Sequence, residues 1–399
     1  MNRLLPVLWL ALVGFFIGMP AFSQTPSVLL MDGNHLAKVK GSAKKDKLLS
    51  TQLEALVKEA DALLEMKPVS VMEKAFTPVS GNKHDYMSQA PYFWYDSSKP
   101  NGRPYMRRDG VRNPEIYKIT DRSHLGKLDQ ATHTLALAWY LTGEEKYAAK
   151  AAALLRVWFL EETTKMNPHL NYAQAIPGIN DGRGIGIIET VALTGIADAA
   201  ILLSSSGSWK ATDQQGLKQW YNAYLDWMLS SKNGQEEYAA KNNHGTWFYV
   251  QAVDFALFCG KTEQARALAE ESKVRLDSQL TAEGSQPLEL ERTTALGYST
   301  YNLQAWFMLA TLAKRVNVNL WDHTTSKGAG LRKALDWLTP YAFGEKAWPY
   351  QQINPYNKND MFLLMARAAG AWAAPVYSSR AKALADKIKD PAEVLVYSR

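Results

Sequence analysis

Apolar residues recur at three- and four-residue spacing along most of this 399-residue chain, the mark of helices with one buried face. Over 48–66, Leu49, Leu53, Leu56, Val57, Ala60, Leu63 and Leu64 share such a face and predict a helix. From Ser123 onward the same reading predicts helices over 126–141, 144–161, 184–204, 212–230, 242–259, 262–280, 295–316, 329–341, 359–372 and 377–389. Thr142-Gly143, Thr212-Asp213 and Gly260 supply punctuation at their junctions. Alternating strand patterns are nearly absent. So many helices exceed a four-helix bundle and show no fixed repeat period. The predicted fold class is therefore all-α: an incomplete α/α toroid of paired antiparallel helices, forming a single domain over 24–399.

Residues 67–122 break this pattern. Pro, Gly, Asn, Asp and aromatic residues crowd together there without a sustained period, which predicts a long ordered loop. Loops of that length are uncommon in compact domains and tend to carry function. Tyr92, Phe93, Trp94 and Tyr95 are candidates to stack on flat rings, and Arg103, Arg107 and Arg108 to bind carboxylates. Tyr86, Ser88 and Gln89 join them as weaker candidates for the same cleft.

The beginning of the chain has a different logic. Arg3, the apolar run from Leu4 to Met19 and the small residues of Ala21-Phe22-Ser23 predict an export signal over 1–23, with the mature chain starting near Gln24. Cys259 is the single cysteine, so no disulfide is expected. The expected address is the periplasm, with no membrane association once the signal is removed.

Composition narrows the partners. With 47% hydrophobic and 21% charged residues the chain is neither disordered nor fibrous. Its net charge of +6 comes without a Lys/Arg tract, which argues against nucleic acid and fits an acidic polymer. Thirteen Trp and 19 Tyr exceed what a core demands and suit a cleft for flat or ring-shaped ligands. The seven histidines form no HxH or HExxH motif and there is no Cys/His cluster, so neither a metal nor another cofactor is expected. The run Asn180 to Gly186 is neither GxxxxGK[ST] nor GxGxxG; it reads as a tight turn into a helix, with Arg183 facing a cleft. Carboxylate pairs for glycoside hydrolysis could be drawn from Asp129, Asp181, Glu189, Glu289 and Glu291, although spacing alone assembles none of them.

Two stretches carry more information. Asn242-Asn243-His244-Gly245-Thr246-Trp247 places two amides and an imidazole at a predicted helix start, the end that attracts anions. Arg292 precedes Tyr298 by six residues and Tyr301 by nine, so both tyrosines can reach a cleft from the first turns of one helix. Together with DYMSQAPYFWYD and NGRPYMRRDG upstream, these stretches resemble the alginate lyase family of polysaccharide lyases, over roughly Tyr86 to Trp348. In the best-studied members Ser-Tyr stands where this chain has Gly245-Thr246, which predicts altered subsite contacts.

The resemblance implies an α/α toroid and β-elimination on a polyuronate, alginate foremost. It further implies that Asn243 and Arg292, helped by His244, neutralise a uronate carboxylate and so acidify the C5 proton. Tyrosine has an ordinary pKa of about 10, so Tyr298 can serve as base only where Arg292 favours its phenolate. If the C5 proton and the O4 leaving group share a face, as in mannuronate, one tyrosine can act as base and acid. If they are opposed, as in guluronate, His244 becomes the base and Tyr298 the acid. Expected substrate contacts are Tyr86, Ser88, Gln89, Tyr92, Trp94, Arg107, Arg108, Arg183, Trp247 and Tyr301. A lyase for another polyuronate such as glucuronan, a hydrolase of the same architecture and a non-catalytic glycan-binding protein are the alternatives.

Overall fold

In the computed structural model, which describes residues 25–43 and 45–398, the apolar periodicity resolves into a succession of packed helices. The expected export signal over 1–23 lies outside the described residues. Helices α1 (Gly33–Ser42) and α2 (Lys47–Leu63) precede the long loop; α3 (Asp121–Thr142), α4 (Glu145–Phe159), α5 (Ala192–Leu203), α6 (Ala211–Ser230), α7 (Lys232–Ala239), α8 (Asn243–Phe258) and α9 (Thr262–Gln279) follow it. The chain closes with α10 (Pro287–Leu290), α11 (Ala295–Lys314), α12 (Leu331–Ala342), α13 (Phe362–Trp372), α14 (Pro375–Ala385) and α15 (Pro391–Tyr397).

Local chemistry sets the ends. Asp32, Asp46, Ser231, Asn242 and Asp390 accept hydrogen bonds from free N–H groups of the helices they precede. Gly143, left-handed at φ 79°, stops α3. Two-residue and three-residue turns then fold α4 back onto α3 and α9 onto α8, and these pairs close side by side into the incomplete α/α toroid. Helix α8 is apolar on nearly every side and buried over most of its length, packed between α6, α9 and α11. Around it Trp158, Tyr221, Tyr224, Phe248, Phe255 and Trp306 fill the core.

The stretch 184–204, predicted as one helix, is a 3-10 segment (Gly184–Val191) followed by α5. Gly184 and Gly186 weaken the α-helical preference there. The segment also presses so closely on its neighbour that a Cβ at Gly186 would lie 2.4 Å from the Ala173 Cβ. Gly184–Leu203 is also long and apolar enough to cross a membrane, but most of it is buried inside the toroid.

The loop over 67–122 is ordered by short elements that its sequence does not announce. Strand β1 (Met87–Gln89) pairs in parallel with β4 (Tyr172–Ala175), and β2 (Phe93–Trp94) pairs antiparallel with β3 (Met106–Arg107). At its root Lys74, with no exposed surface, reaches Asp121 at 3.0 Å and donates to the carbonyls of Val71 and Lys83. Strands β2 and β3 bring Phe93 and Arg107 to the same cleft as the first turns of α8 and α11.

Candidate active site

The start of α8, the start of α11, the Gly184–Val191 segment and the hairpin of β2 and β3 converge on an open cleft of about 710 Å³. Asn243, His244, Arg292 and Tyr298 all line it, with Tyr92, Arg107, Arg183 and Tyr301. Its chemistry starts at the cap of α8. The Asn242 side chain accepts from the His244 N–H at 3.3 Å and so sets Asn243 and His244 in the first turn. Glu289, buried on α10, accepts from the Asn243 backbone at 2.6 Å and from Asn243 Nδ2 at 2.7 Å. Burial pushes the Glu289 carboxyl up, and these donors oppose the shift. Glu237, buried on α7, lies 2.8 Å from His244 Nδ1.

Across the cleft Arg292 Nη2 donates to the Tyr298 hydroxyl at 2.7 Å, and its guanidinium carbon sits 3.7 Å from the centre of that ring. The same guanidinium grips Asp109 with two bonds, Nε to Oδ2 at 3.1 Å and Nη2 to Oδ1 at 2.7 Å. Burial would raise the Asp109 carboxyl, but the hydrogen bonds and charge of Arg292 outweigh it and hold it at about 2. Asp109 also accepts from the Thr293 hydroxyl, so it latches the hairpin loop onto the wall beside α11. Tyr298 donates to the Tyr92 hydroxyl at 3.1 Å. Burial lifts the Tyr298 pKa well above the ordinary value and Arg292 offsets only part of this, so Tyr298 rests as the neutral phenol. Arg292 thus pulls towards the phenolate, as a base role for Tyr298 requires, but in the free protein burial outweighs it.

Other candidates fall elsewhere. Tyr86 and Ser88 are buried behind the wall, where both donate to Glu189 Oε2, at 2.8 Å and 2.6 Å. Glu189 in turn pairs with Arg122 at 3.5 Å, and Arg122 is the residue that reaches the cleft. Gln89 is half-buried in β1, outside the lining. Trp94 donates from its indole to the Val111 carbonyl at 2.9 Å and carries Arg108 on its ring at 5.3 Å, so this pair braces the hairpin from outside. Trp247 is buried behind Tyr301, with ring centres 4.8 Å apart. Phe93 lines the cleft under Arg183, which donates to Gln174 at 2.8 Å.

Gly245-Thr246 also proves to be a packing feature rather than a subsite. A Cβ on Gly245 would lie 2.1 Å from the Ala240 carbonyl and 2.3 Å from Arg275 Nη1, while Thr246 is fully buried against Gln279. Sequence reasoning did not find Asp109, Arg112, Arg122 or Glu237. Of these only Asp109-Gly110, a turn signal between arginines, left a local trace. Glu189 and Glu289, raised as a hydrolase's carboxylates, are committed to Tyr86, Ser88 and Arg122 and to Asn243 respectively.

The arrangement brings a cation, an amide, an imidazole and a neutral phenol to one cleft floor, a set able to hold an anionic ring and move protons at its edge. A family model described as Alginate lyase matches residues 70–348. An alginate lyase from Bacteroides ovatus of known structure is 38% identical, with a TM-score of 0.89 over 94% of this chain and 99% of that one. Alginate lyase A1-III from Sphingomonas species A1 is 15% identical and shares the fold at a TM-score of 0.57, over 96% of this chain and 100% of that one. A variant of A1-III complexed with a tetrasaccharide gives 0.60 at 15% identity, over 95% and 99%. No curated protein matches the chain. With the family model covering well over half of its length, the chain belongs to the alginate lyase family and is a polysaccharide lyase.

Proposed function

We propose that this lyase cleaves alginate by β-elimination, leaving an unsaturated uronate at the new non-reducing end. The observation that carries the reading is the meeting of Asn243, His244, Arg292 and Tyr298 in one cleft, with Arg292 bonded to the hydroxyl that would transfer a proton. The uronate carboxylate lies against Asn243 and Arg292, whose hydrogen bonds and charge stabilise the excess negative charge that builds there as H5 leaves. The C5–H electron pair becomes the C4=C5 double bond, the C4–O4 bond breaks, and O4 takes a proton. Tyr298, a phenol before substrate binds, holds that proton, and His244, bonded to Glu237, lines the same cleft. On guluronate, where the two groups lie on opposite faces, His244 accepts H5 and Tyr298 protonates O4. On mannuronate, where the two groups share a face, Tyr298 must first lose its proton to solvent water; its phenolate then takes H5 and passes that proton to O4.

A panel of pure polymannuronate, polyguluronate and glucuronan, followed by the ultraviolet absorbance of the unsaturated end, tests the proposal. Absorbance growing on either alginate polymer supports it; growth on glucuronan alone, or new reducing ends without absorbance, overturns it. We also propose export to the periplasm, where an acidic polysaccharide is met without crossing the inner membrane. A mature protein starting near Gln24 would support this, and retention of 1–23 in the cytoplasm would refute it.

A further inference from the structure

We infer that Glu237 is a positioning residue that holds His244 as the Nδ1–H tautomer, so that the Nε2 lone pair serves as base in opposite-face elimination. The inference deepens the lyase reading and rests on it. His244 Nδ1 is 2.8 Å from Glu237 Oε1, and the two side chains are 15% and 1% exposed, so water hardly competes for the contact. A carboxylate has no hydrogen to give, so the hydrogen between them belongs to Nδ1. The other oxygen, Glu237 Oε2, is buried without a hydrogen-bond partner, which leaves the imidazole as the side chain bonded to this carboxylate, with the Arg183 guanidinium acting on it through charge alone.

The backbone beneath Glu237 is fixed from several sides. The Ser231 side chain caps the start of α7, and Arg275 on α9 donates to the Tyr238 and Ala240 carbonyls at its end. The neighbouring Glu236 accepts the Gly184 N–H at 2.9 Å. The dyad is therefore preorganised before substrate arrives. When His244 takes H5 it becomes an imidazolium, and the charge of Glu237 at hydrogen-bond distance stabilises that state across a contact that solvent barely reaches. On a same-face substrate His244 takes no proton, so the charge of Glu237 has little to act on.

Nitrogen NMR of the histidine rings, with His244 assigned by its loss in His244→Gln, reads the tautomer in the wild-type protein without any assay of activity. The expected signature is a protonated Nδ1 and a bare Nε2; a protonated Nε2 in the neutral ring overturns the inference. Glu237→Gln removes the charge and keeps the shape, and thermal melting checks that it folds. It should disturb the tautomer and lower kcat on polyguluronate by about a hundredfold or more, with KM changed by less than about threefold. On polymannuronate kcat should stay within about threefold. Equal losses on both polymers would overturn the inference, since a merely structural carboxylate would produce them. If the wild type cleaves neither polymer the lyase reading falls, and the wild-type tautomer still decides for or against Glu237.

Discussion

At the scale of single residues the site turns on which groups hold protons before substrate binds. Tyr298 is the clearest case, because burial keeps it a phenol in spite of the Arg292 hydrogen bond. Tyr298→Phe keeps the ring on the guanidinium and removes the proton donor, so turnover should vanish on every polymer cleaved while oligosaccharide binding by calorimetry stays nearly unchanged. Retained formation of unsaturated product would take Tyr298 out of the mechanism. His244→Ala should divide the substrates: no turnover where the base must come from the opposite face, and a far smaller loss on a same-face polymer, where His244 takes no proton. Complete loss on both would refute that division. Gly245 gives a third test, because its neighbours leave no room for a side chain. Gly245→Ser should destabilise the fold by about 1–3 kcal/mol in urea titration, as overpacked positions do, by pushing the first turn of α8 off Ala240. An unchanged midpoint would show that the backbone gives way at little cost.

At the scale of elements, the long helices were legible because burying one face of a helix imposes its period on the sequence. Boundaries of α4, α6, α8 and α9 fall within two residues of the pattern. Short helices escaped, and their loss mattered: α7 and α10 are too brief to show a period, yet they carry Glu237 and Glu289 against His244 and Asn243. Motif spacing grouped Asn243 with His244 and Arg292 with Tyr298, each pair within one or two helical turns, and the family resemblance joined the two pairs into one site. Nothing local could give the pairing of Asp109 with Arg292 or of Met87 with Tyr172, which depends on the closed toroid. The loop's attachment can be tested at both ends. Lys74→Met would strand the Asp121 carboxylate and two carbonyls in a dry site, and should cost about 3–5 kcal/mol by denaturant unfolding. At the far end, the Asp109 carboxyl is held at about 2, below the unfolded value of about 3.9. Its contribution is thus complete above pH ~4 and is lost as pH falls towards 2. Hydrogen exchange over 105–113 should stay slow at pH 5 in the wild type and accelerate in Asp109→Asn at the same pH; equal protection would mean that the latch is held by other contacts.

For the whole molecule, what matters is where the charge sits rather than its sum. A net +6 spread over 399 residues would barely attract a polyanion through physiological salt. Here Arg107, Arg112, Arg122, Arg183 and Arg292 are gathered on the walls of one cleft, while Glu189 pairs with Arg122 and Asp109 is shared between Arg292 and the exposed Arg107. Arg107 and Arg112 are solvent-exposed, so their attraction to a uronate chain is of the kind that mobile ions screen, with a Debye length of about 8 Å at physiological ionic strength. The chemical step lies deeper, among Asn243, His244 and Tyr298, where screening is weaker. Salt should therefore act on capture and leave the chemistry nearly alone. Raising sodium chloride from tens to hundreds of millimolar should raise KM several-fold on long polymers and leave kcat within about twofold. Arg112→Gln should raise KM at low salt and flatten its salt dependence, because the variant has already lost part of what salt removes. A kcat that falls in parallel with kcat/KM as salt rises would mean that the proton-transfer step itself is open to bulk ions, and would contradict the half-buried position of Tyr298.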